Sequence, residues 1–379
     1  MSVERIVALL GRRDEPTDGV VDYCSWLGSA LTAHGYELET VRVPWFERGW
    51  SAAFADLKEK AAAWRGNWVL LQYTTLGWSR RGFPLHVPRI LSILRDNGVR
   101  CGVVFHDFAP VSGNRMIDRA RNYCQLRVLE NLYKHADRSI FTVSMDKLAW
   151  LPANSPKAIF IPVGANFPEV SVRAPPREGA THRKNGRKTV AIFSVTGGSS
   201  TLPEVADIGA AVKRASRAVG PLTLSVMGRG SKEAESALRA EFSGTNVEIE
   251  ILGLLSAEEI SRALARADVQ LFVRGQISSR RGSAIAGIAC GLPVVCYSGS
   301  ETAWPITEAG IVSVPLGDRE ALSAALEAVL QDDVLRASLA ERSRHAQACY
   351  FSWPAIAAQF AQALRPDETA KRAVLENAL

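Results

Sequence analysis

Apolar runs of about five to seven residues recur along this chain, each followed by a longer stretch with helical spacing of its apolar positions. Runs that are continuous in Val, Ile and Leu, rather than alternating, belong to strands buried on both faces, and the amphipathic stretches between them are the helices that cover those faces. In the first half, strands are expected at 6–10, 38–43, 68–73, 101–105, 139–143 and 158–161, with helices at 21–34, 51–64, 86–97 and 117–135. The pattern then restarts, with strands at 189–194, 222–227, 247–252, 269–272, 293–297 and 310–314 and helices at 203–219, 232–242, 257–266, 284–290 and 319–330. Each strand-to-helix spacing suits a crossover unit. The expected class is therefore α/β, with two doubly wound Rossmann-like domains facing a central cleft.

Between the two runs, residues 168–188 carry three prolines, two glycines, several basic residues and hardly any apolar ones, as a solvated linker would. The expected division is an N-terminal domain over 1–167, this linker, a C-terminal domain over 189–350, and a last segment, 351–379, returning as a helix to the first domain. At roughly 150 residues per domain, 379 residues agree with that count. A net charge of +6, spread along the chain rather than blocked into a tail, gives no footprint for nucleic acid. The six cysteines show no CxxC and no metal spacing, and most sit in apolar runs, as reduced thiols of a cytosolic protein do. The apolar run near the start spans six residues, too few for a signal or anchor, and no uncharged stretch reaches the ~18 residues of a membrane span. A cytoplasmic location is expected, with at most peripheral contact with a membrane.

The stretch Val247–Ile260 with Ala267-Asp268-Val269, the short motif Ala289-Cys-Gly-Leu-Pro-Val-Val295, and the closing segments Gly310–Asp318 and Phe351-Ser-Trp353 together resemble the donor half of family 4 glycosyltransferases of the two-Rossmann-domain (GT-B) type. Asp18-Gly19-Val20, His106-Asp107, Thr142-Val143-Ser144 and Ile161-Pro162-Val163-Gly164 extend the likeness through the first half. The family's paired glutamates before Ala-x-Ala-x-Gly-x-Pro fall on Ser278 and Ala286 here, and its diphosphate-holding Arg and Lys have no counterpart in Ser194–Thr201. The resemblance implies transfer of a sugar from a nucleoside diphosphate sugar to a hydroxyl of a saccharide or lipid-linked acceptor. It further implies retention of configuration, no bound metal or other cofactor, and Leu254 and Leu255 beside the nucleotide base. It gives no oligomeric state.

Such a transfer requires the leaving diphosphate's charge to be stabilised. Gly197-Gly198-Ser199 follows a strand and precedes a helix start, so its amides could face an anion. The Ser279-Arg280-Arg281-Gly282-Ser283 turn offers fork-shaped guanidinium donors ahead of another helix, and Arg229 ends a third strand. Glu301 could meet ribose or sugar hydroxyls in place of the absent glutamates. His106, at a strand end, is the family's donor-sugar contact by resemblance, and Asp107 could orient its ring or bind an acceptor hydroxyl. Asp18-Gly19 could let backbone approach the acceptor, while Tyr73 and Trp78, in a basic aromatic loop, could stack a sugar. Trp45, Phe46 and Trp50 read as a further exposed aromatic group. Glu258 and Glu259 are explained by the helix dipole alone. Two other readings accompany the transferase: a non-catalytic nucleotide- or glycan-binding relative acting as an assembly partner, and an epimerase-like enzyme of the same architecture.

Overall fold

The computed structural model describes residues 3–15, 17–110, 113, 115–167 and 186–365. Most of the expected linker, 168–185, and the end of the expected last segment, 366–379, lie outside these residues. The described residues fall into two compact units, one within Met1–Ile161 and Trp353–Leu379, the other within Pro162–Ser352.

The first unit is built on a parallel sheet of β1 (Glu4–Leu10), β2 (Tyr36–Arg42), β3 (Trp68–Tyr73), β4 (Arg100–Phe105), β5 (Arg138–Phe141) and β6 (Ala158–Phe160), in the order β2-β1-β3-β4-β5-β6. Its helices are α1 (Gly19–Leu31), α2 (Trp45–Ala63), α3 (Val87–Asp96) and α4 (Met116–His135). Every residue of β3 is buried, which explains its unbroken apolar run. The edge strand β2 buries only Tyr36 fully, so its sequence signal is faint and its span lies closer to the N-terminus than the apolar pattern suggests. Helix α2 begins well before the expected 51, and Gly49 (φ 77°) marks a kink inside it.

The second unit holds β7 (Lys188–Phe193), β8 (Leu222–Met227), β9 (Val247–Gly253), β10 (Val269–Gln276), β11 (Val294–Ser298) and β12 (Ile311–Pro315), all parallel, in the order β12-β11-β10-β7-β8-β9. The helices are α5 (Thr201–Val219), α6 (Glu235–Glu241), α7 (Ala257–Ala265), α8 (Gly282–Ala289), α9 (Arg319–Gln331) and α10 (Asp333–Ala346). Sequence periodicity misses α10, because only Leu339, Ser343 and Ala346 of its 14 residues are buried.

Helix α11 (Trp353–Leu364) belongs to the first unit. The Trp353 ring meets Tyr23 of α1 edge-on at 5.4 Å, and Trp68 Nε1 donates to the Leu364 carbonyl at 2.9 Å.

Helix α10 is pressed onto the chain just before β12. A Cβ at Gly310 would lie 1.7 Å from the Leu339 carbonyl oxygen, a backbone atom that cannot yield by rotamer change. Gly310→Ala is therefore expected to cost about 3 kcal/mol, as overpacking against backbone does, read as a lower urea midpoint with unchanged slope.

Candidate functional site

In a doubly wound sheet, ligands bind beyond the carboxyl ends of the strands where the chain order reverses. In the second unit β7 and β10 are neighbours and their crossovers run in opposite directions, so the reversal lies between them. The loops leaving those two strands are 194–200 and 277–281, which contain most of the residues singled out as anion contacts.

The first loop is held tightly. Ser194 has φ 71°, a left-handed conformation that costs a non-glycine residue energy. The Ser194 amide donates to the Met227 carbonyl at 2.8 Å and the Val195 amide to the Arg229 carbonyl at 2.9 Å. Gly230 permits this approach: a Cβ there would stand 2.0 Å from the Val195 carbonyl oxygen. The Thr196 amide donates to the Glu204 carboxylate at 2.8 Å, and the Thr201 hydroxyl donates to the Thr196 carbonyl at 2.8 Å. A turn of 3-10 helix, Gly198–Ser200, leads into α5. Among the described residues the amides of Gly197, Gly198 and Ser199 meet no protein acceptor, and all three residues are exposed. One anion already occupies the head of this loop: it is the carboxylate of Glu204.

Beside that carboxylate lies a cation the sequence reading passed over. Arg274, near the end of β10, donates from Nε to the Thr196 hydroxyl at 3.3 Å. Burial lowers its proton affinity and the Arg229 guanidinium adds to the effect, while Glu204 acts against both. Arg229 is half-buried, so two guanidinium groups flank the loop. An open pocket of ≈ 270 Å³ adjoins it, lined by Ser199, Ser200, Glu204, Asp207, Tyr297 and Leu316 among others.

The second loop contains an ion pair. Arg280 donates through Nε and Nη2 to the two carboxylate oxygens of Glu301, each at 2.9 Å, and the buried Ser278 hydroxyl lies 3.2 Å from one of them. Burial works to raise the Glu301 carboxyl, but Arg280, then Arg281 and Ser278, outweigh it and hold it below the usual glutamate range. The Arg280 fork is thus turned to Glu301, which corrects the expectation that it is offered to phosphate. Glu301 thereby sets its carboxylate against the Ser278 hydroxyl. Arg281 stands at the head of α8, half-buried and close enough to act on Glu301. Ser279 is buried and its carbonyl accepts from the Val163 amide, while the Ser283 carbonyl accepts from Gln270. Gly282 and Ser283 form the first turn of α8. Leu254 is exposed and Leu255 half-buried on the loop after β9. Glu259 closes a capping box with Ser256.

In the first unit the reversal lies between β1 and β3. The loops there touch each other, with the Arg12 amide donating to the Gly77 carbonyl at 2.7 Å. Tyr73 and Trp78 are fully buried, and the Trp78 indole donates to the Gln72 carbonyl at 2.8 Å. Both belong to the core, which corrects their assignment to sugar stacking. Trp45 is likewise buried, stacked on Trp50 at 5.0 Å, and Phe46 and Trp50 pack against the core. These three residues were expected to be exposed; an amphipathic kinked helix folds them inward. Asp18 caps α1 by accepting from the Val20 and Val21 amides, and it receives Arg42 at 3.3 Å, with Gly19 as the first helical residue. Its carboxylate thus serves as the N-cap of α1.

His106 Nε2 is 2.9 Å from Gln72 Oε1. With the amide assigned so that its nitrogen faces the Leu70 carbonyl, Oε1 accepts and His106 Nε2 donates to it. Asp107 does not orient this ring: its carboxylate accepts from the Thr75 amide at 2.8 Å and shapes the loop. The orienting residue is Gln72, a buried polar side chain inside an apolar strand, and that incongruity was its sequence signal. Arg274 carried a similar one, a cation between Val273 and Gly275 at the end of a buried run. No group of three or more His, Cys, Asp or Glu residues among the described residues is placed to hold a metal ion.

The family model described as Glycosyl transferases group 1 matches residues 203–332, which lie within the second unit. No curated protein matches the chain. Among solved structures, Alr3699/HepE from Anabaena, in complex with UDP and glucose, shares 14% identity over 95% of this chain and 99% of its own, with a TM-score of 0.64. Sucrose-phosphate synthase (tll1590) from Thermosynechococcus elongatus shares 17% identity over 95% and 98%, also at 0.64. A glycosyltransferase from Rickettsia africae shares 12% over 96% and 98%, at 0.65. These likenesses establish that the two units have the Rossmann-like folds of the GT-B architecture.

Proposed function

We propose that the protein is a glycosyltransferase that moves a sugar, with retention of configuration, from a nucleoside diphosphate sugar to a hydroxyl of a saccharide or lipid-linked acceptor. The observation that carries this reading is that Arg229 and Arg274 flank the 194–200 loop with its exposed Gly197–Ser199 amides where β7 and β10 diverge, with Arg281 on the loop that leaves β10. The family-model match over this unit and the UDP bound by HepE support it.

Breaking the anomeric bond places negative charge on the departing diphosphate. Guanidinium groups and fixed amides lower that barrier because they are oriented before charge develops. Here the resembling family's loop cations are absent, and Arg274 supplies positive charge to the same loop from the neighbouring strand. Glu301, fixed by Arg280, takes the place of the missing carboxylate at position 278. His106, oriented by Gln72, is the candidate contact for a sugar or acceptor hydroxyl. No residue is assigned as a nucleophile; the protein's contribution is charge stabilisation and positioning.

A second reading, a nucleotide or glycan binder without turnover, is favoured by one observation: Arg280 and Glu301 are locked on one another, and Ala286 leaves nothing at the second glutamate position. Incubation with a panel of UDP-, GDP-, TDP- and ADP-sugars separates the two. Slow release of free nucleoside diphosphate from one donor, accelerated by acceptor, is the expected result. Thermal stabilisation by a nucleotide with no turnover on any donor or acceptor would support the binder instead.

A further inference from the structure

Helix α4 begins on the outside of the first unit. None of the residues from Met116 to Cys124 is buried, and the first buried side chain of the helix is Gln125. Met116 is 80% exposed and Ile117 50%, unusually high for large apolar side chains standing next to each other. The loop after β3 is seated on the same helix: Arg121 Nε donates to the Arg81 carbonyl at 2.9 Å and Gln125 Nε2 to the Gly82 carbonyl at 2.8 Å. That loop adds Leu85, 65% exposed.

Charge on this face has one sign. Asp118 is taken by Arg121 at 2.7 Å and Glu130 by Arg127 at 3.1 Å. Arg81, Arg115 and Arg119 are exposed and form no ion pair among the described residues. Exposed apolar side chains set among unpaired arginines match the charge and the layered polarity of an anionic bilayer surface, where guanidinium groups meet phosphates and the apolar tips enter the acyl boundary. A nucleic acid would satisfy the arginines but leave Leu85, Met116 and Ile117 in water.

We propose that the exposed start of α4 and the adjoining 81–85 loop form a docking surface for anionic lipid bilayers. The surface lies wholly in the first unit and does not depend on the sugar-transfer reading.

Sedimentation of the full chain with vesicles tests this directly. Binding is expected to vesicles of phosphatidylcholine containing phosphatidylglycerol, to weaken with added salt, and to be at least tenfold poorer to phosphatidylcholine alone, on the order expected for loss of two or more charge contacts. Arg81→Ala with Arg119→Ala should weaken binding about 25-fold, at roughly fivefold per arginine near a charged surface. Met116→Asp should do so on the order of tenfold by removing apolar insertion. Unchanged thermal melting of both variants shows that they fold. Equal partition onto both vesicle types, wild-type binding by the folded variants, or RNA mobility shifts sensitive to Arg81 and Arg119 without vesicle binding would each overturn the proposal.

Discussion

Arg280→Ala is expected to cost about 2–3 kcal/mol near neutral pH, because it leaves the Glu301 carboxylate largely buried without either of its guanidinium hydrogen bonds. The loss should depend on pH. In the wild-type protein the Glu301 carboxyl sits below its ordinary value of 4.5, so its contribution is present above that value and disappears as pH falls through the lowered one. Without Arg280 the burial effect dominates and the carboxyl moves up. A raised carboxyl is neutral to stability below pH 4.5 and destabilises as pH rises through its new value. Urea unfolding should therefore show a larger gap between variant and wild type at pH 7 than at pH 4. Adding Glu301→Gln to Arg280→Ala should recover part of the loss at pH 7. An equal gap at both pH values would mean that Arg280 stabilises the fold by packing rather than by holding this charge.

The second large effect concerns binding. Arg281→Ala is expected to weaken nucleoside diphosphate binding on the order of 30-fold while changing nucleoside binding less than about twofold, the difference being a lost charged hydrogen bond to phosphate. Arg274→Ala should act the same way. Arg274 is disfavoured as a cation by burial and by Arg229, so an incoming dianion relieves both, and its removal withdraws that gain. Titration calorimetry with matched nucleoside and diphosphate reads the ratio directly. Equal losses for the two ligands would remove these arginines from any phosphate contact.

The legible part of this molecule was its strands. A buried parallel strand such as β3 or β11 must be apolar at nearly every position, so its run stands out, and the alternation with helices then dictates a doubly wound sheet. Edge elements were blurred for the converse reason: β2 and α10 bury little, so their composition says little. The loops carried their residue types openly but not their partners. Arg280 and Glu301 are 21 positions apart and satisfy one another, which only a structure reveals. Aromatic residues near polar ones were misleading, because Tyr73 and Trp78 use the same loop to complete the core. The informative positions were the opposite case, polar groups inside apolar runs: Gln72 and Arg274 each stand near the end of a strand, where a buried run meets a loop.

On the proposed reading, the carboxyl edge of the second sheet, where β7 and β10 diverge, receives a diphosphate. A crystal structure with the nucleoside diphosphate that best raises the melting temperature tests it most directly. Phosphate oxygens are expected within hydrogen-bonding distance of the amides of Gly197–Ser199 and of at least one of Arg229, Arg274 and Arg281. A nucleotide bound at any other edge of the protein, with those amides still facing solvent, would contradict it.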